Sequence, residues 1–215
     1  FAAAIPTGGA MPDGPVKRVR VRLHGPSFDG LQLSGDDQRI ETSKSKEVIL
    51  DILMTYLSRL RYRIGDRTAA SPVQPDTGVL TAELRKLAGR FLKSGTAGQP
   101  LAFSRMAVDW MQNNIRQVAT SIVPNAADVL ELRQGDCNEF SSLFYALAAA
   151  ADFPCRIATG VVHADGRYLY HSWNEILVDG RWVAVDPIFD EIPASPRHIK
   201  LIEGDFSASW RLAGL

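Results

Sequence analysis

Residues 135–156 read GDCNEFSSLFYALAAAADFPCR, and they place one of only two cysteines where a strongly apolar segment begins. Phe140, Leu143, Phe144, Leu147 and Ala151 recur at helical spacing. Asp136, followed three residues later by Glu139, has the form of a capping box. The pattern predicts a helix with Asp136 as N-cap and Cys137 as its first residue. A thiol there lies beside unpaired backbone N–H groups and the positive end of the helix dipole, which favour thiolate and suit a nucleophile. Cys155, in DFPCRIATGVV, fits instead a small buried hydrophobe at the start of an apolar strand. Two cysteines are too few for a disulfide framework, and the lack of a C-x-x-C pair argues against structural zinc.

Downstream, YHSWNEILVDGRWVAVDP holds Asp179-Gly180 between two apolar runs, a strong short-range hairpin signal. A two-residue turn there pairs Val178 with Arg181 and, followed back, sets Trp173 opposite Asp186. His171 is then the diagonal neighbour of Asp186 on one face, about 7 Å away at the backbone and within side-chain reach. A second turn at Asp165-Gly166 predicts a three-stranded antiparallel meander in which Gly160 faces His171, leaving room beside the imidazole. Taken singly, a strand histidine or a pre-proline aspartate is unremarkable. Together with Cys137 they supply a nucleophile, a base and an orienter.

The rest of the chain bounds the reading. With 215 residues, 46% hydrophobic and 22% charged, it can bury a sizeable core. Its 24 basic and 24 acidic residues create no net field for nucleic acid or an anionic membrane, and no run approaches a membrane span. VKRVRVRL alternates arginines with apolar residues, the mark of a strand with one wet face. GPSFDG reads as turn and LQLS as a short strand. KEVILDILMTYLSRLRYR fits a helix, although EVILDI alone also fits a strand. IGDRTAASPVQPDTG reads as a linker or surface loop. Helices are predicted over Thr81–Leu92 and Leu101–Ala119, the second with Phe103, Met106, Ala107, Trp110, Met111 and Ile115 on one stripe. Residues 1–15, rich in Ala, Gly and Pro, read as a mobile lead-in. Without an initiator Met or a charged leader they also read as a trimmed start.

The Cys, His and Asp motifs, in that order over roughly residues 80–200, resemble the transglutaminase-like superfamily, particularly its bacterial branch. ASPRHIKLIEG likewise resembles the segment after the Asp strand in bacterial members. The resemblance implies an α+β fold: a papain-like, transglutaminase-like core whose nucleophile-bearing helix packs on an antiparallel β-sheet. It implies a catalytic domain over 76–215, preceded over 1–75 by an N-terminal extension or small subdomain with β-strands. By motif, Cys137 is the nucleophile, His171 the general base and acid, and Asp186 the orienter of the imidazole. The expected chemistry is cysteine-dependent acyl transfer or hydrolysis at a glutamine carboxamide or peptide bond, through a thioester. The acceptor is an amine or water, and the sequence leaves both open. The Cys137 backbone N–H is the first oxyanion donor; the sequence does not identify a second.

Trp173 is a candidate for lining the acyl channel, though packing explains it as well. Glu175 suits a hairpin salt bridge better than a second orienter, and His24, His163 and His198 have no comparable context. A protein or peptide substrate is expected, with no nucleic-acid partner. No cofactor is expected, there being no acidic loop of calcium-site spacing. The bacterial resemblance favours an extracytoplasmic location; the oligomeric state is not legible. The alternative is a catalytically inactive transglutaminase-like binding or assembly module of a larger protein.

Overall fold

The computed structural model describes residues 4–5, 11, 14–25, 27–44, 46–54, 80–119 and 125–204. The architecture is α+β and is organised around the cysteine helix. That helix, α4 (Cys137–Ala150), follows β1 (Ala4–Ile5), β2 (Arg18–His24), β3 (Gln38–Lys44), β4 (Glu47–Leu53), α1 (Ala82–Phe91), α2 (Pro100–Asn114), β5 (Arg116–Gln117), α3 (Ala126–Leu132) and β6 (Gln134–Gly135). Four strands come after it: β7 (Cys155–Ala164), β8 (Arg167–Val178), β9 (Arg181–Val185) and β10 (His198–Glu203).

Every side chain of α4 from Glu139 to Ala148 is buried, as expected of a helix apolar on all sides. Its neighbours are α1, α2, α3 and one face of the main sheet; Phe103, Met111, Phe140, Leu143, Phe144 and Ile176 join this core. In that antiparallel sheet β7 lies between β10 and β8, while the far edge of β8 carries β9 at one end and β1 at the other. Both predicted hairpins form. Asp165-Gly166 and Asp179-Gly180 all have positive φ, the conformation of tight hairpin turns whose twist matches the strands.

The second face of the sheet is also covered, so His171 to Val178 are buried without alternation. The three-stranded sheet β2-β4-β3 packs there through Leu33, Leu50, Ile52, Val161 and Ile199. Gln38 clips it in place: its amide donates to the Lys200 carbonyl at 2.8 Å and accepts the Lys200 N–H at 2.9 Å. Beneath lies a buried charge network in which Glu175 accepts from Arg156 Nε at 2.6 Å and Lys200 Nζ at 3.0 Å, and Glu203 accepts from Arg156 at 2.8 Å. Glu175 is thus a salt-bridge residue.

Several expectations are corrected. Glu47–Leu53 is a strand, not a helix: Val48, Leu50 and Ile52 are buried at period two while Leu53 is exposed, and β2 and β3 pair with it on both sides. The remainder of that expected helix, 55–63, and the expected linker lie outside the described residues. LQLS is irregular. The second predicted helix stops at Asn114 because Ile115 is extended, and Arg116–Gln117 pair in parallel with Gln134–Gly135. Within the lead-in, Ala4–Ile5 pair with β8. Helix α3, capped by the Asn125 side chain, was not anticipated. Among the described residues no helix is long and apolar enough to cross a membrane.

Candidate active site

Three local devices start α4 at Cys137. The Asp136 carboxylate accepts the Asn138 N–H at 2.9 Å, and Glu139 reaches back to the Asp136 N–H at 2.8 Å, completing the predicted capping box. Gly135 makes room for that reach, since a Cβ there would lie 2.3 Å from the Glu139 Cβ. The helix start is tied to β8: Ser172 Oγ donates to Asn138 Oδ1 at 3.0 Å and Asn174 Nδ2 to the Ser141 carbonyl at 3.0 Å.

Cys137 itself is half-buried, and its sulfur is hydrogen-bonded by the Ser172 backbone N–H. The expected thiolate is not favoured. Burial first, then the Asp136 carboxylate and those of Asp186 and Glu139, push the thiol up to about 12, outweighing the Ser172 donor. This environment favours the neutral thiol over the thiolate.

His171 and Asp186 meet as the hairpin register requires. Val178 pairs with Arg181, the ladder runs back to Asn174 opposite Val185, and there it ends. Released from the ladder, Asp186 pairs its backbone with Glu191 and turns its side chain to His171, with Oδ2 2.6 Å from Nε2. The carboxylate is fully buried. Its Oδ1 accepts the backbone N–H groups of Ile188 at 2.8 Å and Phe189 at 3.1 Å. Burial opposes its charge, yet His171 and His198 hold its carboxyl well below the usual carboxylate range.

His198, passed over in the sequence, is the second imidazole on this carboxylate. It opens β10, and its Nε2 lies 2.7 Å from Asp186 Oδ2. No local pattern could have found it, because β10 joins the sheet beyond β7, far along the chain from any diagnostic turn. Burial opposes its protonation, but Asp186 and then Glu191 raise its imidazole above the ordinary value.

Trp173 is 2% exposed and packed with Ala158, Ala184 and Ala194. Its ring stacks on His171 at 6.1 Å and 19° and meets His198 edge-on at 5.1 Å. It backs the imidazoles and borders a small cavity shared with Glu175, His198 and Lys200 rather than open solvent. The aromatic that reaches solvent beside His171 is Phe189, 42% exposed with its ring at 5.3 Å. Gly160 does lie opposite His171, but the space of its missing side chain is taken by β10: a Cβ would sit 2.0 Å from the Ile199 carbonyl oxygen. Cys155 is buried in the helix-side core, its thiol raised by desolvation.

Among the described residues, His171, Asp186 and His198 are the group whose ligand atoms converge, all within 4.8 Å. Those atoms satisfy one another by hydrogen bonds, so the donor set is explained without an ion.

Residues 86–187 match the family model of the Transglutaminase-like superfamily. No curated protein sequence matches the chain. Among solved structures, a candidate cysteine protease from Cytophaga hutchinsonii is similar at 16% identity and TM-score 0.60, covering 90% of this chain and 78% of that one. LapG of Legionella pneumophila matches at 14% identity and TM-score 0.40, over 68% of this chain and 97% of its own. A TGase structure matches at 15% identity and TM-score 0.35, over 78% of this chain and 50% of its own. The first of these likenesses carries the fold, an α+β papain-like core with its helix on an antiparallel sheet. It is over that core, residues 86–187, that the chain matches the transglutaminase-like superfamily.

Proposed function

We propose that Cys137, His171 and Asp186 are a catalytic triad for acyl transfer or hydrolysis at an amide of a protein or peptide substrate. The observation that carries this reading is the 2.6 Å bond between His171 Nε2 and Asp186 Oδ2. A carboxylate only accepts, so Nε2 bears the proton and Nδ1 is the nitrogen left to act as base. Because its surroundings favour the neutral thiol, attack couples to proton transfer. The Cys137 sulfur bonds to the carbonyl carbon as His171 Nδ1 takes the thiol proton, and the Cys137 backbone N–H receives the oxyanion. His171 then returns the proton to the departing amine, leaving a thioester that an amine or water resolves.

The half-buried thiol, raised by its surroundings, also favours a second reading, an inactive binding or assembly module. One experiment separates the two. Wild type and Cys137→Ala are incubated with denatured casein and hydroxylamine, and mass spectrometry reads hydroxamates, new termini and released ammonia. The triad reading expects hydroxamate formation in wild type and none in a folded Cys137→Ala. Equal signal in both removes the nucleophile, and none in either supports the module.

A further inference from the structure

His198 raises a question of proton inventory. Its Nδ1 lies 3.0 Å from the Ser195 carbonyl oxygen and its Nε2 2.7 Å from Asp186 Oδ2, and the side chain is 4% exposed. Neither neighbour brings a proton: a carbonyl oxygen only accepts, and the Asp186 carboxylate already accepts from Ile188, Phe189 and His171. A neutral imidazole has one N–H and one bare lone pair. In either tautomer one contact would set lone pair against lone pair, away from water. Only the imidazolium, with two N–H groups, satisfies both.

We propose that His198 is a resident imidazolium that compensates the charge of Asp186, a positioning residue that lets the carboxylate orient His171 without drawing a second proton onto it. The inference rests on the triad reading above. Opposite charge so close to His171 would by itself favour the imidazolium form, which cannot accept the thiol proton. The His198 ring, 5.6 Å from that of His171, offsets this pull. Orientation and charge are thereby separated: Asp186 supplies the first, and His198 cancels the excess of the second.

The surroundings agree. Acidic groups facing His198 are Asp186 and Glu191, whose Oε2 is 3.9 Å from Nδ1. Across the small cavity on its other side stand Asp37, Glu175 and Lys200. Glu175 is already matched by Arg156 and Lys200, and burial together with Glu175 pushes the Asp37 carboxyl up to about 6. The direction found for His198 itself, upward, is the one the geometry requires.

The test begins on the wild-type protein. Ring nitrogen NMR of the four histidines, assigned with His198→Gln and His171→Ala, is followed from pH 5 to 9. His198 is expected to show two protonated nitrogens at pH 7; one bare nitrogen there overturns the proposal. The second measurement is the rate of Cys137 alkylation against pH in wild type and His198→Gln, whose amide can still donate to Asp186 without charge. The acid limb is expected to move to higher pH, with a roughly tenfold slower rate at pH 6 and a difference of at most about twofold at pH 8.5. Coincident profiles overturn the coupling to His171 even if His198 is charged. Failure of the triad reading looks different: His171→Ala would then alkylate at the wild-type rate, whatever the state of His198.

Discussion

His171 and Asp186 meet at 2.6 Å just beyond the point where their two strands cease to pair. Because the ladder ends at Asn174 and Val185, Asp186 is free to turn its carboxylate under the imidazole while its backbone closes on Glu191. Asp186→Asn keeps the shape and removes the charge. We expect turnover to fall about 10²–10⁴-fold, as when a triad loses its orienting carboxylate. Its stability cost should depend on pH. The lowered carboxyl of Asp186 contributes stability present above the unfolded value of about 4 and lost as pH falls through its folded value. The raised imidazole of His198 contributes stability present below about 6.5 and lost as pH rises through its folded value. Both contributions are complete only between about pH 4 and 6.5, so the melting-temperature gap between wild type and variant should be widest there. A gap independent of pH would contradict the charge pairing.

Asp136 is both cap and obstacle. Its carboxylate is the leading charge, after burial, that disfavours the Cys137 thiolate. Asn caps a helix about as well as Asp, so Asp136→Asn should change stability by less than about 0.5 kcal/mol. Removing a negative charge beside the sulfur lowers its proton affinity, raising the thiolate fraction at any pH below the pKa. Iodoacetamide should therefore modify Cys137 several-fold faster in Asp136→Asn at pH 7.5, with Cys155 as internal control. An unchanged or slower rate would mean that burial alone governs the thiol.

Burial and neighbours set Cys155 apart from Cys137. It packs in the core, where its sulfur makes long contacts of 3.8 Å to the Arg156 carbonyl and 3.9 Å from Asn174 Nδ2. Cys155→Ala should remain active and lose about 1 kcal/mol of stability from lost packing. A folded but inactive Cys155→Ala would transfer the nucleophile role away from Cys137.

What could be read from the sequence was what short-range rules encode. Asp136 and Glu139 placed the helix start, and two Asp-Gly turns carried the register far enough to bring His171 to Asp186. Each is a contact among residues close along the chain, where turn geometry leaves little freedom. Glu47–Leu53 was misread because its apolar residues satisfy both periods, and the decision came from β2 and β3 on either side. The groups that raise the Cys137 thiol were hidden for a related reason: the helix donors are local and visible, whereas burial and the Asp186 carboxylate arrive through the fold. His198 was invisible because it reaches Asp186 from a strand whose partner is β7, with no turn linking the two.

Gly160 gives a way to disturb His198 without touching the site. β10 crosses so close that an alanine Cβ would lie 2.0 Å from the Ile199 carbonyl oxygen and 3.0 Å from the Leu201 nitrogen. Both are backbone atoms, so no side-chain rotation relieves the clash and one strand must move. The register of β10 on β7 already shifts between Lys200 and Ile202, beside this approach. Gly160→Ala should therefore cost about 1–3 kcal/mol or more and displace β10. His198 begins that strand, so its bond to Asp186 should weaken while the β8–β9 hairpin and the His171–Asp186 contact persist. We expect a lower melting temperature together with an acid limb of Cys137 alkylation moved in the same direction as in His198→Gln. A destabilised Gly160→Ala whose profile matches wild type would show that His198 holds its place without β10.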